Sequence, residues 1–479
     1  MTAANTTALA ITELRAALGA DALLTDVAQL NVYECDGFTI PRAAPDAVAF
    51  PRDTPQVSQA VRILLKHKIP MIPRGAGTGL AGGTAAVSGG VVICTSRMKT
   101  IHAVDLRNRW ALVDAGVANL ALSDKIKGSG LHFAPDPSSQ RASTIGGNAA
   151  TNAGGIHTLK HGVTVHHILG LEVVLEDGSV HVLGGPMGHA AGPDFAGLFC
   201  GSEGTLGIVT RVWCRLVRRP AAFRTALAVF DDSQDACHTV GDIIAAGIVP
   251  AALEMMDGTM IRVVEEAFGF GFPAAAQALL LLEIDGIEAG LNEDLTEIQR
   301  IAKAHNARSF EGGSDARRRA ELWSARKKAF GAIGRISPNY CTQDACVPRG
   351  RLPEVIARIA EICVSHKLRI TNVFHAGDGN VHPVLMYDEA DVAQTRSVLA
   401  ASGEILRYCV GIGGTVSGEH GVGIEKMPYM RDMFSPDDLE AMHRIRRALV
   451  PLDLLNPYKV LPRDGVEIDL LSPRRHVPQ

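Results

Sequence analysis

Between Ile69–Ile72 and Val91–Cys94, two short apolar runs that read as buried strands, the chain inserts Pro73–Gly83, in which five of eleven residues are glycine. Glycine lets backbone approach a ligand closely and turns several N–H groups toward one point, which is how a pyrophosphate is cradled. Gly75, Gly77 and Gly79 have a dinucleotide-like rhythm. The spacing departs from the Rossmann fingerprint, however, and a strand rather than a helix follows. The chain must therefore build a phosphate cradle of another kind.

At 479 residues the chain is too long for one ordinary core, so two or three domains are expected. Hydrophobic residues at 47% and charged residues at 20% describe an ordinary globular protein. With a net charge of −4 and no basic stripe, nothing argues for nucleic acid, and none is expected as a partner. The basic clusters Arg317–Arg319 and Arg326–Lys328 read mostly as the solvated face of a helix. Nine cysteines, an odd number with no Cys-x-x-Cys, suit a reducing compartment and argue against an iron–sulfur cluster. Met1–Gly19 lacks the pattern of a signal peptide, and no run of about 18 apolar residues offers a membrane span. A cytoplasmic enzyme is expected.

In chain order, helices are expected over 8–18, from Thr54 with Pro55 in its first turn, and over 120–127, with strands at 46–50 and 111–116. Pro135–Gly155 holds hardly any large apolar residue except Ile145. Its small side chains, hydroxyls and amides suit a buried polar ligand better than a packed core. Gly170–Val180 reads as a hairpin about Asp177-Gly178, and Gly201–Thr210 closes this half with more glycine. After Pro220 the pattern becomes a strand at 226–230, helices at 233–246 and 253–268, a strand at 279–284 and a helix at 290–305. That is an α+β domain with an antiparallel sheet. In the helix expected over 315–333, Arg326 shares a stripe with Leu322, Phe330 and Ile333. A guanidinium so placed needs an anion, either a protein carboxylate or a substrate carboxylate. A last helix is expected over 436–449.

The densest chemistry lies in Phe374–Pro383 and Gly413–Gly423. A two-residue turn on Asp378-Gly379 would set His375 and His382 directly opposite each other on one face, with Cβ atoms about 5 Å apart. Two imidazoles alone fall short of a metal site. Glu419 and His420, in a glycine-rich frame, raise the set to three ligands and a base.

Taken together in this order, Pro73–Gly83, Pro135–Gly155, Gly201–Arg211, His375–Pro383, Gly413–Gly423 and Leu454–Pro462 resemble the FAD-dependent D-2-hydroxyacid dehydrogenases of the vanillyl-alcohol-oxidase flavoprotein superfamily. That group includes D-lactate dehydrogenases, the glycolate oxidase flavin subunit and D-2-hydroxyglutarate dehydrogenase. The resemblance implies an α+β protein with a two-lobed FAD-binding domain over 1–219. A cap domain with an antiparallel sheet covered by helices would span 220–430, and 431–479 would return to the FAD domain. Arg74, Gly75, Ala76, Gly77, Thr78, Gly79 and Leu80 would hold FAD, with Pro137, Ser139, Thr144, Gly147, Asn148, Asn152, Gly154, Gly155, Glu203, Gly204, Ile208 and Asn456. Pro73–Gly83 contains no His or Cys for covalent attachment, so FAD is expected to be dissociable. The resemblance maps His375, His382 and Glu419 onto a divalent metal, zinc by preference, His420 onto the catalytic base, and Arg326 onto the grip for the substrate carboxylate.

The implied reaction oxidises a D-2-hydroxyacid to the 2-oxoacid by hydride transfer to FAD. The expected partners are a small 2-hydroxyacid and an electron acceptor, whether quinone, electron-transferring flavoprotein or cytochrome. Assembly as a homodimer stays open. One departure matters: relatives selective for dicarboxylates carry further cationic or hydroxyl groups after the arginine, whereas Phe330–Gly334 is apolar here. D-lactate or a related monocarboxylic acid is expected. Glycolate in a multi-subunit oxidase, D-2-hydroxyglutarate, and a flavoprotein that binds without turnover are the alternatives.

Overall fold

A computed structural model describes residues 3–188 and 192–472, and residues 473–479 of the expected C-terminal segment lie outside it. The chain divides into two compact units. The first comprises Met1–Gly154, Val163–Arg219 and Glu419–Gln479, and the second comprises Gly155–Gly162 and Pro220–Gly418. Residues 419–430, expected with the cap, cluster with the first unit. The reason is backbone stitching. The N–H groups of Val422 and Gly423 donate to the Glu203 carboxylate, and those of Ile424 and Glu425 donate to the Ala81 carbonyl.

The first unit has two sheets. In one, the strands run in the order Leu23–Leu24, Ala47–Ala49, Val91–Cys94, Met71–Arg74, the last three being parallel. Helix Thr54–Lys66 makes the crossover, capped by Asp53 and opened by Pro55. It buries Val57, Ala60, Val61 and Leu64 against Ala10, Leu14 and Leu18 of helix Ala3–Leu18. Met71–Arg74 and Val91–Cys94 are also parallel, so no tight hairpin can join them. Residues 75–90 must carry the chain back without a helix, and the glycine loop is that excursion.

The second sheet is antiparallel, in the order Ile101–Asp105, Trp110–Asp114, Ile208–Arg215, Ile168–Val174, Val180–Gly184. Helix Ile145–Thr151 lies on it, with Ile145 and Ala149 in a core shared with Val113, Val173 and Val212.

The second unit is built on an eight-stranded antiparallel sheet. Its main order is Ser309–Gly313, Ala222–Phe230, Ala278–Gly286, Ala252–Asp257, Arg369–His375, Asn380–Tyr387, Asn339–Thr342, with Ala345–Cys346 also on Asn380–Tyr387. Helices Gly258–Phe268 and Ala316–Ile333 pack on this sheet and share one core with Met256, Leu281, Val373 and Val384.

The structure overturns the single helix expected over 253–268. Ala252–Asp257 is a strand, and the helix begins only at Gly258, capped by Asp257. A strand buried on both faces reads as a continuous apolar run, which periodicity cannot separate from a buried helix. Asp257-Gly258 is the boundary signal, because the Asp257 carboxylate accepts from the Met260 N–H at 2.9 Å.

Candidate active site

In the first unit the two glycine-rich stretches meet. A Cβ added to Gly75 would overlap the Thr144 hydroxyl, which already accepts from the Gly147 N–H as the cap of helix Ile145–Thr151. Glycine at 75 therefore permits the close approach. Ahead of the cap, the Pro137 carbonyl accepts from Gln140 N–H and the Ser139 carbonyl from Ala142 and Ser143, two turns that deliver Thr144. Gly77 adopts a φ of +71°, and its backbone crosses the Arg74 guanidinium so closely that any side chain would strike it. Arg74 donates to the Cys35 carbonyl and the Thr84 hydroxyl, both at 2.8 Å, and lies over the Tyr33 ring. Arg74 thus braces the loop from beneath. Gly37 N–H donates to the Gly79 carbonyl at 2.7 Å, while Ala76 is exposed and Thr78 and Leu80 are half-buried.

Other expected cofactor residues have structural tasks. Glu203 commits its carboxylate to backbone N–H groups, and burial nevertheless keeps its pKa above the ordinary range. Gly204, with φ of +70°, lets the chain pass against Pro73. Asn456 donates to the carbonyls of Gly83 at 3.0 Å and Glu203 at 2.7 Å, tying the C-terminal segment to both loops. Ile208 sits in the core. Asn152 takes a left-handed conformation and accepts from Val165 N–H, and Gly154 and Gly155 mark the division between the units.

Asn148 differs. It is buried, and its Nδ2 meets no hydrogen-bond partner among the described residues. A buried amide donor without a partner is costly, so a ligand acceptor would satisfy it. Sequence reasoning missed Lys459, which is buried and donates to the Ala85 carbonyl at 2.8 Å. Burial pushes its pKa down to about 7, against the opposing pull of Asp36 and Glu203. Burial raises Asp36 to about 6 despite hydrogen bonds from the backbone and the charge of Arg74.

In the second unit, His375 and His382 lie on the adjacent strands Arg369–His375 and Asn380–Tyr387. The expected two-residue turn is not formed. His375 pairs with Asn380, and His382 with Val373, so the loop is Ala376–Gly379. The register differs from the expected one by two residues. Because side chains alternate with period two, a shift of two keeps both histidines on one face as diagonal neighbours. Their ring centroids are 5.0 Å apart and nearly perpendicular.

Each imidazole is anchored through Nδ1, His375 to Glu254 Oε1 at 2.7 Å and His382 to the Gln343 carbonyl at 3.2 Å. An ionised carboxylate and a carbonyl only accept, so both Nδ1 atoms donate and both lone pairs sit on Nε2. Glu254 is 1% exposed and Arg326 2%. Arg326 Nε donates to Glu254 Oε2 at 2.7 Å, with Nη2 at 2.6 Å from the same oxygen. Burial alone would raise the Glu254 pKa. The neighbouring His375 and Arg326, each donating to it, outweigh burial and hold the carboxyl below its ordinary value. Of the two anions open to Arg326 from sequence, a protein carboxylate is present.

Asp344, missed in the sequence, accepts from Asn380 Nδ2, the Ser417 hydroxyl and the Gly418 N–H at 2.8, 2.8 and 3.1 Å. Gly418 fits tightly against the Asn380 amide. The next two residues are Glu419 and His420, which open the returning segment of the first unit. His420 Nε2 lies 3.8 Å from Glu419 Oε1.

Comparison with known proteins gives this architecture its family. Residues 45–184 match the FAD binding domain family, and residues 219–460 match the family described as FAD linked oxidases, C-terminal domain. The chain is 42% identical over 444 residues to the glycolate oxidase subunit GlcD of Escherichia coli (strain K12), covering 93% of this chain and 89% of the relative. It is 34% identical over 426 residues to a probable mitochondrial D-lactate dehydrogenase of Danio rerio, covering 87% and 84%. Among solved structures, 4-ethylphenol oxidase from Gulosibacter chungangensis aligns at a TM-score of 0.80 and 21% identity, over 96% of this chain and 97% of that one. Its likeness bears on the fold alone. The chain belongs to the FAD-linked oxidase family and is a flavin-dependent oxidoreductase of that family.

Proposed function

We propose that this chain oxidises a small 2-hydroxyacid bearing one carboxylate, D-lactate or, as the alternative, glycolate, to the 2-oxoacid. The similarity to glycolate oxidase subunits and D-lactate dehydrogenases supports the reaction class. The observation that carries the chemistry is the pair of imidazoles on one sheet face, both donating through Nδ1. The apolar Phe330–Gly334 supports a substrate without a second carboxylate.

The first unit fits FAD. The loop Gly75–Gly79 and the Thr144–Asn148 cap approach each other with room for backbone only, and Asn148 offers a buried donor lacking a protein partner. We read FAD as non-covalently held by these segments, where it supplies the two-electron acceptor. For the metal, His375, His382 and Glu419 are a nitrogen and oxygen donor set suited to zinc, and a divalent ion there would supply Lewis acidity toward the 2-hydroxyl. Gly418 is fixed against Asn380, the register partner of His375, and Glu419 follows at one peptide bond.

His420 accepts the 2-hydroxyl proton, a task that suits an imidazole at neutral pH. Arg326, held at its Nε edge by Glu254, orients the substrate carboxylate. Electrons leave to a quinone, an electron-transferring flavoprotein or a cytochrome, and the nine scattered cysteines fit a cytoplasmic setting. Among the described residues no helix is long and apolar enough to cross a membrane. A steady-state assay of the isolated chain with a dye acceptor tests the reading. Turnover of D-lactate or glycolate is expected. Turnover that requires companion subunits would make this chain the flavin subunit of a complex, and inertness toward every 2-hydroxyacid would overturn the reading.

A further inference from the structure

One buried carboxylate serves two clients. Glu254 Oε1 accepts a hydrogen bond from His375 Nδ1 at 2.7 Å, and Glu254 Oε2 accepts one from Arg326 Nε at 2.7 Å. The clients come from different elements, strand Arg369–His375 and helix Ala316–Ile333, while Glu254 stands on the central strand Ala252–Asp257. Glu254 pairs in register with His375, so the backbone fixes the separation that the carboxylate spans.

We propose that Glu254 is a positioning residue that sets His375 in its metal-binding tautomer and at the same time aims Arg326, coupling the hydroxyl end of the substrate site to the carboxylate end. This rests on the reading of His375 as a metal ligand. The physical argument runs through the proton on the ring. With Nδ1 donating to Glu254, His375 must present its lone pair at Nε2, and the ring cannot flip without breaking a buried charge-assisted hydrogen bond. The His382 Nδ1 partner is a neutral carbonyl, that of Gln343, at 3.2 Å. His375 is therefore the more strongly oriented of the two rings. The guanidinium is held by the same carboxylate, so rotation of Glu254 would release both.

Full-length protein loaded with Co²⁺ provides the test, read by the Co²⁺ Kd from chelator competition and by the visible ligand-field band. Glu254→Gln keeps the side-chain shape but leaves a neutral acceptor, and should weaken Co²⁺ about 10- to 100-fold and shift the band. The same variant should raise KM for the hydroxyacid through Arg326, while FAD content is unchanged. Glu254→Gln leaves Arg326 buried without its counter-charge and can fail to fold. The double variant Glu254→Gln/Arg326→Met removes both charges and should show the same loss of Co²⁺. Selective ¹⁵N labelling of histidine, with His375→Gln for assignment, should report Nδ1–H in the wild type and a mixed tautomer in the double variant. Wild-type uptake of Co²⁺ with an unchanged Kd in both variants sinks this inference alone. A wild-type chain that takes up no divalent ion sinks the metal reading and the inference with it.

Discussion

The proposed cradle in the first unit and the imidazole pair in the second are built from different parts of the chain. The cradle is made of backbone: glycines at 75 and 77, the Thr144 cap, and side chains such as Arg74, Glu203 and Asn456 that hold loops from behind. The imidazole face is made of side chains, each locked by another side chain or by a carbonyl. Backbone donors suit a large polyanionic cofactor that is bound and retained. Reacting protons and metal ions need groups with lone pairs and tunable charge, which only side chains provide. Substitutions should therefore separate binding from chemistry.

The sharpest separation is expected at His420. His420→Ala should lower kcat by about 10²- to 10⁴-fold, the usual reach of a positioned general base, while the purified protein stays yellow with full FAD content. Normal turnover would remove His420 from the chemistry. Gly75→Val should do the reverse, since its side chain would collide with Thr144. It should lose FAD and fold less stably, and a yellow variant would show that the two loops need not meet.

Asn148→Leu is a finer probe of the cradle. If FAD accepts from Nδ2, loss of that bond should raise the FAD Kd about tenfold, the equivalent of roughly 1.4 kcal/mol. The apoprotein should melt no lower, because a buried donor lacking a partner disappears. An unchanged Kd with a lower Tm would mark Asn148 as structural.

The smallest effect is expected from Lys459, whose folded pKa lies near 7, below the ordinary 10.5. Between those values the unfolded chain holds more protons than the folded one, so this group makes apoprotein stability rise with pH from about 7 toward 10.5. Below 7 its contribution is flat. Lys459→Met should flatten the rise in Tm between pH 7 and 9, and an unaltered slope would assign it to other groups.

The same contrast explains what the sequence made legible. Glycine content and small polar residues single out Pro73–Gly83 and Pro135–Gly155, and in the structure Gly75 of the first meets Thr144 of the second. His375 and His382 could be placed on one face despite a register error, because an error of two residues preserves the face. Glu254 was invisible for two reasons. Its strand, buried on both sides, read as part of a helix, and its partner His375 lies 121 residues away. Asp344, 36 residues from Asn380, escaped on the same ground. Local pattern reports which residues share an element, and pairing between distant elements follows only from sheet order. Arg326 shows the limit most clearly. Its place in an apolar stripe required an anion, but the stripe could not say whether protein or substrate supplies it.

The central claim is that one molecule joins a flavin cradle to metal-assisted oxidation of a 2-hydroxyacid, and an anaerobic flavin spectrum tests it most directly. D-lactate, glycolate, L-lactate and D-2-hydroxyglutarate would be added in turn, before and after chelation. The account predicts that D-lactate or glycolate bleaches the flavin, that chelation abolishes the bleaching, and that a divalent metal restores it. A flavin that none of these acids reduces, or one reduced equally well after complete metal removal, would contradict it.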